Sequence, residues 1–263
     1  MTEAFVIPVP GGSLHGEARG PAVGAPLVFL HGMAGSADDW SRLWAQLPAD
    51  LPLLRHDLRG FGASTARPGV PFSHADDLLA LLDARGIARA TVVGLSMGGG
   101  VALNFALNHP DRVHRLVLVS PALVGWEWSD AWKAQWRAVA RAARSDDIAA
   151  ARDLWWHHPM FDAVRASDAA AELRAEIDAY HGRQWFADDQ RPELPDVDRL
   201  PALACPTLLL SGARDVPDMR LIADLIAGAA PHVTRIDFPD AGHMLHLECP
   251  GPVAKAIAHF VAE

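Results

Sequence analysis

Cysteine is nearly absent from this chain, with two of 263 residues, Cys205 and Cys249. Two thiols cannot build the bridge framework of a small secreted fold, so packing must hold the chain together and the cytoplasm is the expected location. Both stand beside prolines in ordinary strand and helix approaches, and neither is expected to be reactive. Basic charge is also short. Against 32 Asp and Glu there are 23 Lys and Arg, a formal charge of −9. No basic stripe is available to neutralise phosphates, which argues against nucleic acid and against an anionic membrane surface. No apolar stretch reaches the ~20 residues of a spanning helix. The opening residues Met1-Thr2-Glu3-Ala4 lack a basic segment followed by an apolar core, so no signal peptide is expected.

Hydrophobic residues make up 50% of the chain, enough for the full core of one large α/β domain, alone or carrying an insertion. Positions 4–9 and 13–18 read as a hairpin around Pro10-Gly11-Gly12. Strands are expected at 26–31, 51–58, 90–95, 115–119, 206–211 and 233–238. Helices are expected at 38–47, with Ser36 or Asp38 as cap, and at 73–85, 97–108, 219–227 and 252–261. This βα alternation implies a mostly parallel sheet with helices on both faces. The rhythm breaks between Ala122 and about Leu200, which has helical spacing and no convincing strand. Residues 1–121 and 201–263 therefore read as an α/β core, and 122–200 as a helical cap over the carboxyl ends of the strands.

Gly94-Leu95-Ser96-Met97-Gly98 sits where a strand is expected to give way to a helix. A serine flanked by glycines at such a junction forms a sharp turn that projects its hydroxyl at the end of the sheet. Such a serine is placed to attack an electrophilic carbon. The remaining parts should then follow in order. His31-Gly32-Met33 ends an earlier strand, and the backbone N–H groups of Met33 and Met97 are the candidate oxyanion donors. The side chain of His31 is expected to brace nearby loops. Asp57 and Arg59, close together after the next strand, are expected to pair with each other. Asp215 follows a strand end, where a carboxylate can reach and orient an imidazole. Asp218 is a weaker candidate and reads as a helix cap. His243, in the loop after the last strand, is the expected base, with His246 as its competitor.

The order Ser96, Asp215, His243 resembles that of the α/β-hydrolase fold superfamily. The matching pieces are His31-Gly32, the loop from Asp57 to Ser64, Gly94 to Gly98, Gly212 to Asp215, and Gly242-His243 followed by Glu248-Cys249-Pro250. Together they span 26–121 and 203–263. The chain is similar to small lidded esterases and lactonases such as the 3-oxoadipate enol-lactonase-like group. The resemblance implies an eight-stranded, mostly parallel sheet, a nucleophile Ser96, a base His243 and an orienting Asp215. Relatives with aspartate at the serine position are excluded.

Seven of the nine tryptophans lie between 122 and 200. Trp128, Trp132 and Trp136 recur every four residues and are expected to share a helix face. With Trp155 they are candidates for the substrate pocket, although such a face also serves to fix the insertion to the core. His157-His158 has poor chelating geometry, so neither a metal nor a cofactor is expected. The expected activity is hydrolysis of small to medium apolar esters or lactones, a small-molecule substrate. Cleavage of diketone C–C bonds, cofactor-free perhydrolysis and a small-molecule sensor are the alternatives. Oligomeric state is left open.

Overall fold

The computed structural model describes residues 2–21, 25–187 and 189–262. Met1, which heads the N-terminal reading above, and position 188 of the expected cap lie outside the described residues.

Thr2–Val9 (β1) buries Phe5, Ile7 and Val9 while Val6 and Pro8 face out, the two-residue period of a half-covered strand. It pairs antiparallel with Gly12–Arg19 (β2). Leu27–Leu30 (β3), Leu53–His56 (β4), Thr65–Ala66 (β5), Ala90–Leu95 (β6), Val113–Val119 (β7), Thr207–Gly212 (β8) and Val233–Phe238 (β9) follow. Every residue of β3, β4, β6 and β8 is buried, as strands covered on both faces require. Eight strands run in the order β1-β2-β4-β3-β6-β7-β8-β9, parallel from β4 onward, and the two-residue β5 adds a ninth by pairing with β2.

That order places a switch between β3 and β6. After β3 the chain moves to β4 on one side, and after β6 it moves to β7 on the other. The crevice at the carboxyl ends of those two strands is where open α/β sheets bind ligands.

The first expected helix divides into a 3-10 turn at Ala37–Trp40 and Ser41–Gln46 (α1). Ser36 is its cap, accepting from the Asp38 N–H while Asp39 accepts from the Ser36 N–H. His74–Ala84 (α2) starts at the cap Ser73, and Met97–Asn108 (α3) starts at Ser96. Between β7 and β8 lie Asp130–Arg144 (α4), Ile148–Trp156 (α5), Asp162–Arg165 (α6), Ala170–Ala179 (α7) and Arg183–Phe186 (α8). Pro217–Ala229 (α9), Leu245–Glu248 (α10) and Pro250–Ala262 (α11) complete the chain; His246 falls in α10, at the start of the last helical region. Among the described residues no helix is long and apolar enough to cross a membrane.

The segment between β7 and β8 reaches the loops at the carboxyl ends of the strands. Glu176 accepts from Ser36 Oγ at 3.2 Å, and Gln184 Nε2 donates to the Gly60 carbonyl at 2.9 Å. Arg42 of α1 donates to Glu172 and Asp168.

The expected pairing of Asp57 with Arg59 is corrected. Both carboxylate oxygens of Asp57 are taken by backbone N–H groups, Ala37 and Ala63, each at 2.7 Å. The Arg59 guanidinium turns instead to Asp77 of α2 in a buried two-point ion pair. His31 does brace loops as expected: its Nε2 accepts from the Leu58 N–H at 2.9 Å, and its Nδ1 meets the Gly32 carbonyl at 2.8 Å.

Candidate active site

Ser96 holds φ +50° and ψ −116°, a conformation that non-glycine residues rarely adopt. The flanking glycines follow from close packing. A Cβ at Gly94 would lie 2.3 Å from the Gly98 carbonyl oxygen, and one at Gly98 would lie 2.4 Å from that of Leu30. The first turn of α3 is pressed against the end of β3, so only glycine fits. The Ser96 backbone is tied on both sides, its N–H to the Val119 carbonyl at 3.0 Å and its carbonyl to the Ala122 N–H at 2.8 Å. The serine stands at the switch between β3 and β6.

Asp215 and His243 come from the loops after β8 and β9. These loops interlock: a Cβ at Gly212 would lie 1.9 Å from the Gly242 carbonyl, and the Arg214 N–H donates to the Ala241 carbonyl at 3.0 Å. The result is a hydrogen bond of 2.7 Å between His243 Nδ1 and Asp215 Oδ2, with both residues buried. A carboxylate accepts, so Nδ1 is the donor of this bond, and in the neutral imidazole Nε2 is the nitrogen with the lone pair. Nε2 is buried and has no partner among the described residues. The second Asp215 oxygen accepts from the Val216 N–H at 2.7 Å. A clamp that sequence reasoning missed holds the loop. Glu248 accepts from the N–H groups of Gly242 and Met244, on either side of His243, at 2.7 and 3.0 Å. Its sequence signal is its place in the piece Gly242-His243 followed by Glu248-Cys249-Pro250.

Ser96 and His243 line one narrow cleft together with Gly32, Met33, Trp155 and Met244. Met97 is the first residue of α3, so its N–H has no acceptor within the helix. Neither the Met33 nor the Met97 N–H meets an acceptor among the described residues. Ser96, Met33 and Trp155 also border a larger cavity of about 440 Å³. Trp128, Trp132, Trp136 and Trp155 all line it, as do Met97, Val101, Leu123 and Met160. Trp128 does not share the α4 face as expected. The helix begins at Asp130 behind the cap Ser129, and Trp128 precedes it. Its ring reaches the same wall by stacking on Trp132, with centroids 4.2 Å apart.

The competing candidates are occupied elsewhere. Asp218 does not cap its own helix, whose cap position is Val216. Its carboxylate takes the Ser129 N–H and Oγ at 2.9 and 2.6 Å and the Trp126 indole at 3.3 Å, anchoring the start of the helical segment. His246 lies in α10 with its ring 5.1 Å from Trp40, and burial pushes its pKa down to about 3. His158 packs between Trp132 and Trp155, and burial followed by proximity to His243 lowers its pKa to about 4. At the edge of the cleft, Asp39 is pushed well above the usual carboxylate range by burial and by the Glu176 carboxylate.

Residues 25–250 match the alpha/beta hydrolase fold. The chain belongs to that family. This hydrolase is 30% identical over 263 residues to a 2-hydroxymuconate semialdehyde hydrolase of Pseudomonas sp. (strain CF600), covering 91% of this chain and 88% of the relative. It is 26% identical over 253 residues to the esterase YbfF of Escherichia coli (strain K12), covering 90% and 93%. The crystal structure of the enol-lactonase from Burkholderia xenovorans LB400 superposes with a TM-score of 0.85 at 24% identity, over 98% of this chain and 100% of that one, a likeness of fold.

Proposed function

We propose that this hydrolase cleaves carboxylic esters or lactones through Ser96, His243 and Asp215. The observation that carries the reading is the His243–Asp215 hydrogen bond of 2.7 Å, which leaves Nε2 unpartnered in the cleft that Ser96 also lines. His243 takes the Ser96 proton as the hydroxyl oxygen attacks the carbonyl carbon. Asp215 holds the imidazole in the tautomer that can do so and stabilises the imidazolium. The N–H groups of Met33 and Met97 receive the developing oxyanion, and losing one such donor typically costs about 2.7–4 kcal/mol of barrier. The imidazolium then protonates the leaving oxygen. Water, activated by the same imidazole, releases the acid from the acyl-enzyme.

In this reading residues 122–200 form a cap on a core of 1–121 and 201–263, and the tryptophan-walled cavity takes the apolar part of the substrate. Steady-state hydrolysis of p-nitrophenyl esters of increasing acyl length, wild type beside Ser96→Ala, tests it. Turnover is expected in the wild type, falling to background in the variant at unchanged thermal stability. Activity that survives in Ser96→Ala overturns the mechanism. The Pseudomonas relative favours a second reading, because its name puts an aldehyde rather than an ester in the reaction. The same three residues would then act on a C–C bond, and diketo acids would turn over faster than esters.

A further inference from the structure

Among the described residues, His56, His74 and His246 are buried with both ring nitrogens lacking a hydrogen-bond partner. His56 and His246 are fully buried and line neither the large cavity nor the narrow cleft. His74 is different: it opens α2, is 2% exposed, and lines the large cavity that Ser96 borders. Its neighbours on one side are aromatic, with the Phe72 ring at 5.1 Å and the Phe61 ring at 6.3 Å. A buried polar atom without a partner is costly, and the cost is relieved when a ligand supplies the missing bond.

Of the other polar groups of this wall, Lys133, Gln190 and Glu193 are half-buried and Arg137 is exposed. Asn104 is spent, with Nδ2 on the Asp196 carboxylate at 3.0 and 3.2 Å and Oδ1 accepting from Asn108 at 2.8 Å. The Trp155 indole N–H is also unpartnered, but Trp155 borders the narrow cleft as well and so stands at the Ser96 end. The cavity follows α3 from Ser96 to Asn104, eight residues or about 12 Å of helix. A five- or six-carbon acyl chain has room along it.

We propose that His74 is a specificity-determining residue that hydrogen-bonds an uncharged oxygen, a ketone or hydroxyl, carried by the substrate away from the scissile bond. The proposal rests on the reading of this cavity as the substrate site of a Ser96 hydrolase. Burial, reinforced by His31, His56 and Arg59, pushes the His74 pKa down to about 3, so the ring is neutral near pH 7. A neutral imidazole offers one donor and one acceptor, which suits a ketone or hydroxyl. The ring itself supplies no countercharge to a buried carboxylate, and the cations of this wall, Lys133 and Arg137, are not buried with it.

The test pairs esters that differ by one oxygen: p-nitrophenyl hexanoate with 5-oxohexanoate, and pentanoate with 4-oxopentanoate. The half-ester of glutaric acid is the charged comparison. The wild type is expected to favour an oxo ester in kcat/KM by about threefold to tenfold, the worth of one net hydrogen bond. His74→Leu should bring that ratio close to one, and His74→Gln should restore part of it. A ratio unmoved by His74→Leu overturns the proposal. So does a larger, His74-dependent preference for the glutarate half-ester.

Binding without turnover separates this inference from the mechanism. In Ser96→Ala, tryptophan fluorescence should report tighter binding of methyl 5-oxohexanoate than of methyl hexanoate. The advantage should vanish in Ser96→Ala/His74→Leu. Hydrolysis by Ser96→Ala would sink the mechanism, whereas an advantage that persists without His74 would sink only the present proposal.

Discussion

The sheet core and the helical segment between β7 and β8 are built on different principles. The core interior is mostly aliphatic strand against helix, with β3, β6 and β8 fully buried and one aromatic cluster where Phe29 of β3 meets Trp40 and Trp44 at 5.2 and 5.7 Å. The interior of the segment is a chain of rings. Trp155 meets Trp136, Phe161 and Trp185 at 5.6–6.2 Å, and Tyr180 meets Trp185 at 4.7 Å. The seam between the two regions is largely polar, with Asp218 on Ser129, Glu176 on Ser36 and Gln184 on Gly60. Backbone turns on the core side hold Ser96, Asp215 and His243. Bulky rings on the other side give the cavity its shape. On the proposed mechanism, changes at Ser96, Asp215 and His243 alter rate, whereas changes in the segment, and at His74 of α2, alter recognition.

The largest expected effect separates two aspartates three positions apart. Asp215→Asn keeps the volume but loses the charge that orients His243, and kcat should fall by about four orders of magnitude at nearly constant Tm. Asp218→Asn weakens the anchor at Ser129 and should raise KM while kcat stays within a few-fold. Steady-state kinetics of both variants on one ester decides. If Asp218→Asn abolishes kcat and Asp215→Asn does not, the two regions do not divide the work in this way.

Legibility from sequence divides along the same boundary. The span of β6 and that of α3 were readable residue by residue, because Gly94, Ser96 and Gly98 mark the turn locally. The start of α4 was not. Ser129 caps it, and Ser129 is held in turn by Asp218, 89 positions away. The partner of Arg59 was misread for a similar reason. Proximity suggested Asp57, but backbone N–H groups had already filled both of its oxygens. His74 carries no local signal at all; its interest lies in burial beside a cavity. Turns marked by their own residues were legible; of the contacts between distant loops, Asp215 with His243 was legible through the order of the three residues, and the partners of Arg59 and Ser129 were not.

A middle-sized effect is expected at Trp132, whose ring is stacked by Trp128 and met edge-on by His158. Trp132→Ala should raise KM for aromatic esters about tenfold, close to the worth of one or two aromatic contacts, with kcat changed much less. A fall in kcat at constant KM would instead place this ring in the chemistry and blur the contrast between the regions.

The smallest effect probes the seam. Glu176 of α7 accepts from Ser36 and lies near Asp38, Glu172 and Asp57. Burial first, and then these carboxylates, push its pKa above the ordinary 4.5, against the opposing pull of the Ser36 hydroxyl. Asp39 is pushed the same way. A raised folded-state pKa means that the native protein holds this proton more tightly than the unfolded chain does. The associated stability is therefore complete below the unfolded pKa and is lost as pH rises through the folded value. Arg42 of α1 is engaged with Glu172 and Asp168. Glu176→Gln keeps the contact with Ser36 and removes the charge. Between pH 4.5 and 8 its Tm should fall less steeply than that of the wild type, with a difference of about 1–2 °C at the upper end. Parallel Tm curves would mean that the seam tolerates the carboxylate as well as it tolerates the amide, and that repulsion plays no part in how tightly the segment seats.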